Sequence, residues 1–196
     1  MYRKGLEEIM VYVLADNIIS PLGDTSEDNY QAVKAGKSAI RAYAPMTDGI
    51  PDGFMASLMS ADFEDLVFRS AGKAIEASGI NVADARSVFI LSSTKGAIEG
   101  LGKDADENLY LGETAQRIAT RLGFTTRPVV VCNACISGSA AMILASRLLQ
   151  LGTYDHVVVC GADCPQRFII SGFQSLNAMS AEPCKPFDIE RQGLNL

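Results

Sequence analysis

Short apolar runs alternate along the chain with longer segments in which apolar residues recur every three or four positions. Four runs have the length and composition of buried strands: 10–15, 88–91, 129–131 and 157–159. The longer segments predict helices, each followed by a glycine, over 25–35, 61–78, 108–122 and 140–151. Prolines and glycines within 41–57 predict an irregular excursion. This alternation of strands and helices is typical of an α/β sheet protein.

The composition fits one folded domain and excludes several other classes of protein. The chain has 196 residues, of which 48% are hydrophobic and 20% charged, so a disordered tail or a coiled coil is excluded. It contains no repeat, low-complexity segment or linker, and we therefore expect a single domain over 1–196. The net charge of −6 argues against a partner that is a nucleic acid or an anionic membrane.

The cysteine usage and the apolar runs indicate a cellular location. The first residues lack the apolar core of a secretory signal, and no run approaches the roughly 20 apolar residues of a membrane span. All five cysteines lie in the last third of the chain, whereas a secreted disulfide framework is normally even in number and spread along the sequence. We therefore expect a reduced, cytoplasmic protein.

The stretch 129–141 carries the strongest chemical signal, because Cys135 lies where a buried strand turns into a helix. The positive end of the helix and its unpaired N–H groups favour a thiolate there and can also bind an oxyanion. The small residues Ala134, Ser137, Gly138 and Ser139 leave room for a thioester to approach. Cys135 is therefore a candidate nucleophile for acyl transfer. The plain alternative is a small, buried and inert cysteine.

Two other chemistries use the same residues. Cys132 and Cys135 form a C-x-x-C pair of the kind found in dithiol oxidoreductases, although the usual aromatic and proline neighbours are missing. Adding Cys160 and Cys164 would complete a four-thiolate zinc site. Both Cys132 and Cys160 directly follow buried valine runs, which favours core packing over metal binding. The redox interpretation therefore fits less well than acyl transfer, and the zinc site fits least.

Several segments in this order resemble the elongating β-ketoacyl-acyl-carrier-protein synthases. The nucleophile region is similar in its Ala134-Cys135-x-Ser137-Gly138 motif and in the strand that follows the next helix. The resemblance extends from about residue 10 to the last residue, and its other segments are 19–23, 35–38, 155–163, 171–180 and 185–193.

The resemblance implies a thiolase-like α/β fold, of which this chain is the N-terminal half with a five-stranded mixed sheet packed by helices. It implies that Cys135 takes an acyl group from an acyl carrier protein, and that a decarboxylated malonyl thioester then attacks it in a Claisen condensation. Phe173 would lie near the acyl pocket. The enzyme would take part in the synthesis of a fatty acid, polyene or polyketide. It would be a homodimer and would use no metal or other cofactor.

The chain also departs from the family. It ends where the family continues into a second half that carries two catalytic histidines and a lysine. The single histidine of this chain, His156, does not match the sequence motif of either catalytic histidine of the family and is interpreted as a surface residue. We therefore expect that this chain alone cannot complete condensation. The alternative is a non-catalytic, truncated homologue that acts as a scaffold or partner subunit.

Three further features bear on partners. Helix residues 62–65 are acidic, and Asn177 is neutral, at positions where the family tends to be basic. These differences predict weak attraction to an acidic carrier protein. The alternative is that the acidic residues simply form a solvated helix face. The turn around Lys95 is less glycine-rich than in housekeeping enzymes and favours a specialised pathway. The predicted helix 140–151 is apolar nearly all round, so we expect association to cover it.

Overall fold

The computed structural model describes residues 9–45, 53–102 and 109–196, and its core is a three-stranded parallel sheet between two layers of helices. The helices are α1 (Ser26–Lys34), α2 (Phe63–Ser78), α3 (Leu111–Leu122), α4 (Ser137–Gln150) and α5 (Arg167–Ser175). The strands are β1 (Arg41–Tyr43), β2 (Phe54–Ala56), β3 (Ser87–Ser92), β4 (Val129–Val131) and β5 (His156–Gly161). Single 3₁₀ turns lie at Ile98–Gly100 and Ala134–Ile136.

The parallel sheet has the order β4-β3-β5, and every residue of the central strand β3 is buried. Successive side chains of a strand point to opposite faces, and β3 follows this rule. Phe89 and Leu91 pack with α2 and α3, whereas Ile90 packs with Ala141 and Ala145 of α4. Strands buried on both faces read as unbroken apolar runs, which explains the valine-rich sequences of β4 and β5.

Local sequence signals set the ends of α2. The Asp62 side chain accepts a hydrogen bond from the Asp65 N–H at 2.8 Å and caps the start of the helix. The helix ends at Gly79, whose φ of 67° is a left-handed conformation that glycine adopts without steric cost. The predicted helices are confirmed, with small shifts at their ends.

A second, antiparallel sheet pairs β1 with β2 and supports α5. Tyr43 stacks on Phe54 with ring centroids 5.4 Å apart, and Ile170 of α5 packs against Phe54. The end of the chain joins this unit, because Ser57 N–H donates to the Leu196 carbonyl. Strands β1 and β2 fall within the segment 41–57 that the sequence predicts to be irregular, and residues 46–52 of that segment lie outside the described residues.

The five strands of the described residues divide into a three-stranded parallel sheet and a two-stranded antiparallel sheet, which is compatible with the expected five strands of mixed direction. Residues 10–15, predicted as the first strand, are no strand, and Val13 is 86% exposed. A strand is stabilised by a ladder of hydrogen bonds to a neighbour, and within the described residues this segment has no such ladder. The α/β class itself is confirmed.

Within residues 9–45, 53–102 and 109–196, no helix is both long enough and apolar enough to cross a bilayer.

Candidate active site

Cys135 lies in the turn that joins β4 to α4, with its side chain exposed to solvent. The chain leaves β4 at Val131, makes the 3₁₀ turn Ala134–Ile136, and enters α4 at Ser137. The structure thus places the candidate nucleophile where the sequence predicts it, at a strand-to-helix junction. The plain alternative of a buried, inert cysteine does not describe Cys135, because its thiol is open to reagents.

The hydroxyl of Ser137 closes this turn. Its Oγ accepts a hydrogen bond from the Asn133 N–H at 2.7 Å and donates one to the Ala134 carbonyl at 2.7 Å. Ser137 is only 6% exposed, so both bonds are shielded from water. Ala134 between them has a φ of 46°, a left-handed conformation that is uncommon for alanine. The residue before Cys135 is therefore held in an unusual backbone conformation.

The first turn of α4 can receive negative charge. No side chain caps this end of the helix, which begins after Ile136. The N–H of Ser137, the first residue of α4, donates to the Ala134 carbonyl of the preceding 3₁₀ turn. The first N–H groups of an α-helix otherwise have no partner within the helix, and the helix dipole adds partial positive charge there. Open space surrounds Gly138, since nothing lies within 4 Å of where its Cβ would be. The junction can therefore admit a substrate and hydrogen-bond an oxyanion next to Cys135.

The remaining cysteines divide into exposed and buried thiols. Cys132 and Cys184 are exposed, whereas Cys160 and Cys164 are buried. Burial raises the pKa of the Cys160 thiol to about 11. Burial, followed by the charges of Glu99, Asp163 and Asp62, raises the pKa of Cys164 to about 11. These two thiols are thus protonated near neutral pH. Across 9–45, 53–102 and 109–196, no group of three Cys, His, Asp or Glu side chains could hold a metal ion.

The other two singled-out residues lie on separate elements. Phe173 is half-buried on α5, the helix that packs against the second sheet. His156 is the first residue of β5, where it is half-buried and donates its backbone N–H to the Arg86 carbonyl at 3.2 Å. His156 is therefore less exposed than a typical surface residue.

The acidic start of α2 is compensated by arginines of α3, which the sequence analysis missed. Glu64 pairs with Arg117 at 2.5 Å, and Asp65 pairs with Arg121 at 3.1 Å. The Arg121 guanidinium also lies 3.7 Å from the centroid of the Phe68 ring. The available signal was the spacing of Arg117 and Arg121, which lie four residues apart and therefore occupy successive turns on one face of α3. Neither acid presents an isolated negative charge to a partner.

The structure also has open clefts beside the start of α2. One, of about 480 Å³, is lined by residues 58–62 and 165–167. A second, of about 460 Å³, is lined in part by Asp62, Glu99 and Arg117. Cys135 lines neither cleft, so the shape of the surface alone does not identify the chemical site.

Comparisons with known proteins identify this arrangement, a parallel sheet between helical layers, as an α/β thiolase-like ketosynthase fold. The chain belongs to the β-ketoacyl synthase N-terminal domain family, whose model matches residues 56–196. A search of curated proteins finds no match.

Solved structures of ketosynthases share this fold. The ishigamide ketosynthase/chain length factor superposes with a TM-score of 0.76 at 19% identity, covering 93% of this chain and 54% of that chain. A β-ketoacyl synthase from Burkholderia phymatum STM815 gives 0.72 at 20% identity, with 93% and 55% covered. The ketosynthase ApeO with its chain length factor ApeC, from Xenorhabdus doucetiae, gives 0.73 at 22% identity, with 94% and 54% covered. The chain thus spans about half the length of these proteins.

Proposed function

We propose that this chain is the acyl-accepting half of a 3-oxoacyl-acyl-carrier-protein synthase, with Cys135 as the nucleophile. The observation that carries the proposal is the exposed Cys135 thiol at the uncapped start of α4, inside the segment that matches the family. The only other exposed thiols are Cys132 and Cys184 among the five cysteines, all of which the structure describes. Cys132 directly follows β4 and Cys184 lies beyond α5, so neither adjoins the start of an α-helix as Cys135 does.

The acyl transfer is a thioester exchange. The Cys135 thiolate attacks the carbonyl carbon of an acyl thioester and forms a tetrahedral oxyanion. N–H groups at the start of α4 hydrogen-bond this oxyanion, which lowers the barrier because the charge develops next to fixed donors. The C–S bond to the carrier then breaks, and the carrier thiol leaves with a proton from solvent. The products are acyl-Cys135 and the free carrier.

Condensation needs groups that this chain does not supply at the site. Decarboxylation of a malonyl thioester makes a carbanion, and that carbanion attacks acyl-Cys135 to form the new C–C bond. Polarising the malonyl carbonyl requires hydrogen-bond donors such as histidines. The single histidine, His156, begins β5 and does not fit that role. The proposal is therefore that this chain takes up the acyl group but does not condense it.

Phe173 is the proposed contact for the acyl chain. It lies on α5 and is half-buried, so part of the ring is available to an apolar ligand. This assignment is supported by the resemblance of 171–180 to the family and not by a cavity that joins Phe173 to Cys135.

The proposed partner is an acyl carrier protein in the cytoplasm. One similar structure is described as a type II polyketide synthase acyl-carrier protein in complex with its ketosynthase. Net charge alone disfavours an acidic carrier, but the ion pairs Glu64–Arg117 and Asp65–Arg121 remove much of the repulsion at α2. The proposed pathway is the biosynthesis of a fatty acid, a polyene or a polyketide.

The proposed assembly is a homodimer. Met142 is 61% exposed, and Ile143 and Leu151 are also exposed, so α4 and its end present several apolar side chains to solvent. Soluble proteins usually cover such surfaces by association.

The test is acylation of the purified chain by a small acyl thioester, followed by intact-protein mass spectrometry. We expect one acyl group on the wild-type protein and on Cys132→Ser, and none on Cys135→Ser. Cys132→Ser is the matched control, because Cys132 is equally exposed and only three residues away. Acylation that persists in Cys135→Ser would contradict the proposal. A disulfide that forms and is reduced reversibly between Cys132 and Cys135, without acylation, would favour the dithiol alternative.

A further inference from the structure

We infer that Ser137 is a positioning residue for Cys135: its buried hydroxyl holds the turn that aims the thiol at the start of α4. The inference rests on the proposed function, in which Cys135 is the nucleophile. Ser137 itself does not touch the reacting atoms in this assignment. It acts through the backbone on both sides of Ala134.

The two hydrogen bonds of Ser137 link points on opposite sides of the junction. The Asn133 N–H and the Ala134 carbonyl belong to the segment that leaves β4, whereas Ser137 is the first residue of α4. One hydroxyl thus accepts from one residue and donates to the next, which uses both of its capacities. At 6% exposure water does not replace these bonds, so loss of the hydroxyl leaves the Asn133 N–H without its protein partner, while the Ala134 carbonyl keeps its bond from the Ser137 N–H.

The backbone at Ala134 explains why such a link is needed. Its φ of 46° is unfavourable for a residue with a Cβ, and such conformations persist only where the surroundings impose them. The carbonyl that Ser137 holds is that of Ala134 itself. Without the hydroxyl, the turn loses its link to the Asn133 N–H and keeps the weaker hold of the Ser137 N–H on the Ala134 carbonyl. We expect Ala134 then to relax towards a negative φ, which turns the following residue, Cys135, away from the helix N–H groups.

The neighbouring serine provides a matched control. Ser139 lies two residues further along α4 and is exposed, so its hydroxyl is available to water. Ser137→Ala and Ser139→Ala remove the same atom from the same turn of the helix. Ser137→Thr keeps the hydroxyl and tests whether that group, rather than the size of the side chain, is what Cys135 requires.

The experiment measures the rate at which limiting iodoacetamide alkylates each cysteine of the full chain, mapped by mass spectrometry. Cys184 is exposed and lies far along the chain, and it serves as the internal reference. We expect Ser137→Ala to lower the Cys135 to Cys184 rate ratio roughly tenfold, the change that about 1.4 kcal/mol produces. Ser139→Ala should leave the ratio unchanged, and Ser137→Thr should restore it to within about twofold of wild type.

Two results would overturn the assignment. One is a Cys135 to Cys184 ratio that Ser137→Ala does not change. The other is fast labelling of the buried Cys160 and Cys164 in Ser137→Ala, because the hydroxyl would then support the whole fold rather than Cys135. Iodoacetamide alkylates the thiol and transfers no acyl group, so this test is separate from the proposed function. If the reactivity of Cys135 depends on Ser137 but Cys135 accepts no acyl group from a thioester, the positioning role of Ser137 is supported and the proposed synthase function is refuted.

Discussion

The buried thiol of Cys160 should make the protein lose stability in alkaline solution, and Cys160→Ala should remove that loss. Cys160 lies on β5 opposite Leu91, is 8% exposed, and packs in the core with Phe89 and α2. Burial raises its pKa from an ordinary 9.0 to about 11, because the charged thiolate is poorly solvated there. The folded protein therefore keeps a proton that the unfolded chain loses.

The sign and size of the effect follow from that pKa. Because the folded pKa is the higher one, the contribution to stability is complete below pH 9 and is lost as the pH rises through 11. At about 1.4 kcal/mol per pH unit, this single group costs about 3 kcal/mol of unfolding free energy across that range. Cys160→Ala removes this term but leaves a small cavity, which costs about 1 kcal/mol at every pH.

The assay is urea unfolding followed by circular dichroism at pH 8, 9, 10 and 11. Wild-type protein should be the more stable at pH 8, and the difference should shrink and then reverse towards pH 11. Other groups titrate in this range, but they are shared by both proteins and cancel in the difference. Cys184→Ala, at an exposed thiol, should follow the wild-type curve. Parallel pH dependences for Cys160→Ala and wild type would refute the reasoning.

Two further substitutions test the packing and the end of the chain. Ile118→Ala removes a core side chain that is 1% exposed. In urea titrations it should lower the unfolding free energy by about 2–5 kcal/mol, and a loss below about 1 kcal/mol would contradict the core described here. Leu194 pairs with Met179 in an isolated parallel β-bridge near the end of the chain. Gly193→Ala places a Cβ 2.7 Å from the Ala178 carbonyl oxygen at a φ of 144°, so this bridge should open and trypsin should cut after Arg191 faster. Gly172→Ala, where the Cβ meets open space, is the control, and equal cutting rates in the two variants would refute the clash.

The sequence predicted the helices well because their signals are local. In α2, the Asp62 cap, the apolar spacing and Gly79 all lie within or beside the helix itself. The start of α4 was placed three residues late, at Ala140 instead of Ser137. Gly138 and Ser139 are poor helix formers, and the Ser137 hydroxyl that stabilises this start bonds to a turn that the sequence pattern does not reveal.

The sheet arrangement was harder to predict because pairing depends on distant residues. The apolar run 10–15 has strand composition, yet no ladder joins it to the described strands. The short strands β1 and β2 were read as irregular, since prolines and glycines surround them and their pairing is set by contacts such as Tyr43 with Phe54. Helix α5 was not predicted, because Ile169, Ile170 and Gly172 weaken its helical pattern.

The candidate nucleophile was predictable, but its surroundings were not. Cys135 stands out from its position between a valine run and a helix. The left-handed conformation of Ala134 and the burial of Ser137 depend on three-dimensional packing, so the pattern of residue types does not predict them. The same holds for the arginines that compensate the acidic start of α2.

The most direct test of the central claim is to locate an acyl group transferred from an acyl carrier protein. Trypsin releases residues 122–147 as one peptide, because the Arg127–Pro128 bond resists cleavage, and this peptide contains both Cys132 and Cys135. We expect fragmentation of the peptide to place the acyl group on Cys135, and hydroxylamine to remove it as a thioester. An unmodified peptide, or an acyl group on Cys132, would contradict the assignment of Cys135 as the nucleophile.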